Sequence, residues 1–477
     1  MAQKNETPVL IVSLLLTLAL LGGGAWWFFN RLSPGMLSPG SPTASGNSNS
    51  TSASSGNGSA TPIQERLSAG EKVLFAAEIS PQKQAGVEAI AAGNFEQAVS
   101  DLEAALQANR NDPEALIYLN NAQIGNQTAY TVAVSVPAAT FINPAQEILR
   151  GVAQAQTEVN QAGGINGVPL KVLVASDDND PQVSQQVAEA LADNSEVLGV
   201  VGHFSSEATL ASAEIYQSTG LVMISPTSTA TQLSEVGDYV FRTVPSDRFT
   251  AAALSRYMVN TLQAQNAAIY FSSESAYSQS LKNEFTTALY GDGGQILAEF
   301  DLADPAFSAA DTLQQAAEQD AEVLVLVANA AMLDQALQAV AVNRGQLPLL
   351  GGDGTYTPKT LQVGGEAAVG MVVAVPWHIL SDPQAEFVQS SRTFWGGDVN
   401  WRTAMAYDAT QALIAGLETN PTREGIRQTL NVSGFAVEGA TGTIRFLPSG
   451  DRNQAAQLVI IEPGSRSGYG YDFVPVP

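Results

Sequence analysis

The sequence predicts an α/β protein of two lobes, each a mostly parallel sheet covered by helices, preceded by a transmembrane helix and a short all-α segment. Three observations predict this. From Tyr130 onward, short continuous β-branched runs alternate with longer amphipathic segments, as strands buried on both faces and joined by crossover helices should. That alternation fills residues 130–477, more than one core comfortably serves, so two lobes are expected. Ahead of it lies an uncharged apolar run long enough to span a bilayer.

The apolar run is PVLIVSLLLTLALLGGGAWWFF, Pro8 to Phe29. It ends in Trp26, Trp27, Phe28 and Phe29 with Arg31 beyond, an interfacial aromatic belt followed by a cation. A secretory signal peptide competes with this reading, since Gly23 and Ala25 are small enough for a cleavage site, but the run is longer than a usual signal core. An uncleaved anchor over residues 1–31 is expected. Residues 32–62 are mostly Ser, Gly, Asn, Pro and Thr, with almost nothing to bury. They read as a flexible linker with a reach on the order of 30 Å. In residues 63–128, Phe95, Val99, Leu102 and Leu106 recur at helical spacing, and Asn111, Asp112 and Pro113 break the pattern. Two helices and a turn follow from Ala92 to Gly125. Gly93, Phe95, Ala98, Leu102, Ala105, Leu106 and Pro113 resemble a tetratricopeptide repeat. One repeat does not bury its own apolar face, so a partner-binding repeat and a helical hairpin packed on the main domain both remain open.

The main domain occupies residues 129–477. Its strand candidates are YTVAVSV, LKVLVAS, VLGVVG, LVMIS, NAAIYFS, EVLVLVA and GMVVAV, and crossover helices are expected over Gln146 to Gln161 and Asp247 to Gln265. Charge narrows the partners. With 46 acidic against 21 basic residues the chain carries a formal charge of −25, which repels nucleic acid and anionic lipid. There are no cysteines, so thiolate chemistry and disulfides are excluded.

Ligands of doubly wound sheets sit outside the carboxyl ends of strands, where loops enter helix N-termini. Two such places carry rows of hydroxyls. VLGVVGHFSS is strand then loop, and Glu207 to Thr219 reads as a helix capped by Ser205 or Ser206. LVMISPTSTATQLS is strand, Pro226, then Thr227, Ser228 and Thr229. Taken singly, each hydroxyl fits capping and turn chemistry. Taken together, backbone N–H groups and hydroxyls at two neighbouring loops can hold a carboxylate without any lysine or arginine. The acid in LLGGDGTY, Asp353, follows another strand. It reads either as an Asp-Gly turn or as the anion an ammonium requires.

The stretches NQAGGINGVPLKVLVASDDNDP, VVGHFSSEATLASAEIYQSTGLVMISPTSTATQLS and MVVAVPWHILSDPQ resemble the type I periplasmic binding proteins of branched-chain and neutral amino acid ABC transporters, the Leu/Ile/Val-binding protein group. The resemblance runs from about Tyr130 to the end. It implies two Rossmann-like lobes joined by three crossovers, lobe 1 over about 129–246 and 378–438 and lobe 2 over about 247–377 and 439–477. It further implies an amino acid gripped between the lobes. Ser206 with Ser205 and Thr229, with backbone help at Thr227, would hold its carboxylate, and Asp353 and Tyr277 its ammonium. Where the family often has a second tyrosine Asn329 stands, no aromatic stands at the expected place in PAATFINPAQ although Phe141 is close, and Asp353 is one methylene shorter than the usual glutamate. Side-chain selectivity is therefore open, with a small or neutral amino acid as the first expectation. Trp377 and His378 lie near a predicted crossover, where hinge packing is expected of them.

An enzyme on the same architecture is disfavoured: the histidines are His203 and His378 alone, and the sequence has no HExxH helix, GxSxG elbow or GxxxxGK loop. No cofactor or metal is expected. The resemblance implies a location facing the periplasm or cell exterior, with an ABC permease and ATPase as partners and the apolar span as the tether. A ligand sensor or scaffold signalling through another protein, using the helical segment, stays the alternative.

Overall fold

The computed structural model describes residues 61–76 and 79–476. The expected apolar span and nearly all of the expected linker lie outside the described residues. Among the described residues no helix is long and apolar enough to cross a membrane.

The chain opens with strand β1 (Leu67–Ser68), followed by helices α1 (Pro81–Ala91), α2 (Phe95–Ala108) and α3 (Pro113–Ile124). Each helix start is written in the sequence. Ser80, Asn94 and Asp112 cap with their side-chain oxygens, and Pro81 and Pro113 occupy the first helical position. The two helices expected between Ala92 and Gly125 are present. The tetratricopeptide reading, however, finds no support. A repeat buries its apolar face on further repeats, whereas α3 is buried on nearly all sides and its asparagines are spent on the main domain. Asn121 donates to Val172 O (2.7 Å) and accepts from Val172 N–H (3.1 Å), and Asn120 donates to Thr157 Oγ1 (2.8 Å).

The first lobe follows as β2 (Tyr130–Val136), α4 (Ile142–Gln161), β3 (Leu170–Ser176), α5 (Pro181–Asp193), β4 (Val197–Val201), α6 (Ser206–Thr219), β5 (Val222–Ser225) and β6 (Val240–Pro245). The chain then crosses to the second lobe: α7 (Asp247–Arg256), β7 (Asn266–Phe271), α8 (Ala276–Gly291), β8 (Gln295–Asp301), α9 (Ala309–Glu318), β9 (Val323–Leu326), α10 (Leu333–Asn343), β10 (Leu349–Gly351) and β11 (Val372–Val375). A second crossing leads to α11 (Glu386–Trp395), α12 (Trp401–Thr419), α13 (Arg423–Leu430), the hairpin β12 (Val437–Gly439) and β13 (Gly442–Ile444), and β14 (Asp451–Arg452). A third reaches β15 (Gln457–Pro463) and β16 (Tyr471–Pro475).

The sheets run in the order β1-β3-β2-β4-β5-β6-β14 and β16-β15-β11-β10-β9-β7-β8. All pairs from β3 to β14 and from β11 to β8 are parallel, and β1, β15 and β16 add antiparallel edges. Because β14 pairs with β6, the chain returns to the second sheet only at Gln457, later than residue 439. The buried ion pair of Arg242 Nε on β6 with Asp451 Oδ1 (2.6 Å) holds that return in place. Trp377 and His378 lie in the second crossing. Trp377 packs edge-on to Phe387 of α11, and the His378 N–H donates to Gln457 Oε1 (2.9 Å), where the third crossing enters β15, so His378 ties the two crossings together.

Helices α4 and α12 approach so closely that a side chain at Gly151 would run into the backbone of Thr403 and Tyr407. The Thr403 hydroxyl bonds Glu147 O (2.9 Å) across the same contact. This seam fixes where the first turn of α12 points.

Candidate functional site

Strands of both sheets end at one cavity, open to solvent. Ser205, Ser206 and Thr227 line it from loops after β4 and β5, and Tyr277, Asn329 and Asp353 from loops after β7, β9 and β10. This is the crevice that parallel sheets create at strand carboxyl ends. Five of the six residues singled out in the sequence therefore meet in one place. Thr229 does not line the cavity. It stands behind, its carbonyl accepting the Asp247 N–H (2.9 Å) and its buried hydroxyl without a hydrogen-bond partner.

The hydroxyl rows divide into two kinds of work. Ser225 Oγ donates to His203 O (3.0 Å), Thr227 Oγ1 to Phe204 O (2.6 Å), and Ser228 Oγ meets Thr209 Oγ1 (2.6 Å). These bonds stitch the two loops together. Ser205 caps α6 by accepting the Ala208 N–H (3.2 Å), and Ser206 Oγ accepts the Ala230 N–H (3.3 Å). Each leaves its own hydroxyl proton for a guest, beside the N-terminus of α6, where partial positive charge favours an anion.

His203 supports this loop from below. Its Nδ1–H donates to Asp177 Oδ2 (2.6 Å), and the Tyr216 hydroxyl lies 3.0 Å from Nε2. Burial pushes the Asp177 carboxyl up, but the bond and charge of His203 outweigh it and hold the group below its usual value. His203 is wholly buried and does not line the cavity.

On the opposite wall the Tyr277 hydroxyl donates to Asp353 Oδ1 (2.8 Å) and accepts the Gly354 N–H (3.1 Å). A side chain at Gly352 would collide with the Tyr277 hydroxyl and one at Gly354 with Ala328 O, so the glycine before the acid is what lets the phenol reach it. Burial raises the Asp353 carboxyl above its usual value, with the Tyr277 bond and the Arg402 charge pulling it back. A cation placed beside it would favour the ionised form.

Several lining residues were passed over in the sequence: Phe204 and Glu207 beside the serines, and Trp401 and Arg402 at the start of α12. Asn400 caps that helix by accepting the Arg402 N–H (2.8 Å). Arg402 Nη1 lies 3.3 Å from Glu147 Oε2, and its guanidinium sits 4.4 Å from the Trp401 ring centroid. Burial raises the Glu147 carboxyl, offset by Arg402. An Asn cap opening an apolar helix was the available signal. Among the described residues no group of three His, Asp or Glu side chains could hold a metal ion. The arrangement offers donors on one wall and a carboxyl group on the other, with the rings of Phe141 and Phe204 tilted against each other at 6.0 Å between their centroids at the side.

The sequence model of the family described as "Periplasmic binding protein" matches residues 129–464. An "Amino acid binding protein" of Pseudomonas aeruginosa is 36% identical over 125 residues, covering 26% of this chain and 33% of that protein. The "Leucine-specific-binding protein" of Salmonella typhimurium is 24% identical over 309 residues, covering 63% of this chain and 82% of its own length. In structure, a leucine binding protein from Thermotoga maritima is similar at a TM-score of 0.64 and 23% identity, covering 72% of this chain and 98% of the other.

Proposed function

From the premise that this chain belongs to the periplasmic binding protein family, we propose that it captures a free amino acid between its lobes, outside the cytoplasm, and hands it to an ABC permease and ATPase. It is a solute-binding protein of the branched-chain amino acid transporter type. The observation that carries the finer reading is the polarity of the cavity. Ser205 and Ser206 offer hydroxyl protons beside a helix N-terminus on one lobe, and the Tyr277–Asp353 pair offers an acceptor on the other. A zwitterion matches both at once, and only while the lobes are closed on it, so its binding energy is what drives closure. Membrane tethering through the span at Pro8 to Phe29 belongs to the same proposal and rests on the apolar sequence there.

The test is a thermal-shift screen of the full chain in detergent against the free amino acids. A ligand specific to the folded state raises the melting temperature, by an amount equivalent to about 2.7 kcal/mol at a hundredfold excess over Kd. A screen in which no amino acid moves the transition would sink the reading. Co-purification of permease and ATPase subunits from detergent extracts tests delivery separately.

A further inference from the structure

The grips assigned to the ligand's amino and carboxylate groups leave two buried donors in the same cavity unused. Trp401 Nε1 and Arg402 Nε are both without a hydrogen-bond partner, and both residues line the cavity from the first turn of α12. Each is nearly inaccessible, Trp401 at 1% and Arg402 at 6% exposure. Orphaned buried donors are costly, and an arginine donor more than a neutral one. Their position is held from behind by the Asn400 cap and by Glu147, whose Oε1 accepts from Asn400 Nδ2 (2.8 Å) and whose Oε2 meets Arg402 Nη1 (3.3 Å).

We propose that these two donors are the side-chain end of the ligand site, and that the cleft selects amino acids whose side chain ends in a carboxylate or carboxamide oxygen. This rests on the amino acid reading above. An aliphatic side chain of the leucine type would leave both donors orphaned in the closed state, and a site built to bond an oxygen discriminates strongly against analogues lacking it. A carboxylate and a carboxamide share the acceptor oxygen. They differ in charge, with Arg402 favouring the first and Glu207, which lines the same cavity and whose buried Oε1 also lacks a partner, favouring the NH2 of the second.

The experiment is titration calorimetry on the full chain in detergent with glutamate, glutamine, leucine and alanine. The expected result is that glutamate or glutamine binds at least about tenfold tighter than leucine, as a bond to a charged donor supplies. Whichever of the two leads identifies the side-chain group. Arg402→Met combined with Glu147→Gln removes that preference, so that in the variant the leading polar ligand binds within about threefold of leucine. Trp401→Phe, which keeps the ring, reduces it in part. Leucine binding as tightly as both polar ligands in the parent overturns the proposal, as does a preference that survives both variants. Binding of no amino acid at all overturns the amino acid reading and this inference with it.

Discussion

Ser206 and Asp353 line one cavity from the two sheets, and the proposed amino acid would meet one of them at each end. Asp353→Asn keeps the volume and the Tyr277 contact but removes the charge, so affinity for an amino acid should fall about tenfold or more by calorimetry. Ser206→Ala should weaken it as well, while the melting temperature of the ligand-free protein stays near the parent value. Two variants that bind as the parent does would show the guest sits elsewhere. Because burial raises Asp353 above its usual 3.8, affinity is full where the acid is ionised and declines as pH falls through that raised value. Asp247 behaves oppositely. It is wholly buried, neither carboxylate oxygen has a hydrogen-bond partner, and burial, with the charge of Asp353 adding to it, pushes it up to about 7 against the pull of Arg242. Its unfolded form ionises near 3.8, so stability is full below that pH, is lost progressively towards about 7, and stays low above. Asp247→Asn should therefore be more stable than the parent at pH 8 and nearly equal at pH 4, in urea melts at both. At this scale the sequence was readable where a hydroxyl or an acid directly follows an apolar run, as at Ser206, Thr227 and Asp353. Trp401 and Arg402 follow no strand, so nothing local announced that the first turn of α12 enters the cleft.

Elements announced themselves when their residues were uniformly apolar. The runs at β2, β3, β4, β5, β7, β9 and β11 are strands buried on both faces, and their β-branched continuity is the reason they could be read. Strand β6 could not, since Arg242 interrupts VFRTVP and its charge is met by Asp451, 209 residues away. Strand β8 is an edge whose burial alternates, which leaves a weaker apolar signature. The N-terminal helices carry their own buried ion cluster: Lys83 Nζ meets Asp112 Oδ2 at 2.8 Å and Glu114 Oε2 at 2.7 Å. Burial lowers the lysine, but the two carboxylates outweigh it and raise it overall. Lys83→Met strands both acids and should cost about 3–5 kcal/mol, read as a lower urea midpoint. A midpoint that does not move would show that α1 contributes little to the fold. Gly151→Ala forces α12 away from α4 and should cost about 1–3 kcal/mol as an overpacked contact does, and it should weaken ligand binding by displacing Arg402.

At the scale of the whole molecule, two sheets with their strand ends turned towards one cavity are joined by three short crossings, and the proposed guest, touching both, would draw them together. Small-angle scattering of the parent with and without a bound amino acid should show a smaller radius of gyration in its presence, and Asp353→Asn should show no change at the same concentration. An unaltered radius in the parent would mean that the cavity is filled without movement. The two-lobe plan was legible from length and alternation, but the return at Gln457 was not, because β14 is two residues long and its partner is distant. One attachment gives the design a direction. Strand β1 is bonded to β3 at Leu67 and Ser68, and Asn121 of α3 is bonded to the same strand. Residues 67 and 68 are thus fixed to the first lobe, so closure on the proposed guest would bring the second lobe towards that attached half, and a receiving complex would tell loaded from empty by the gap between them.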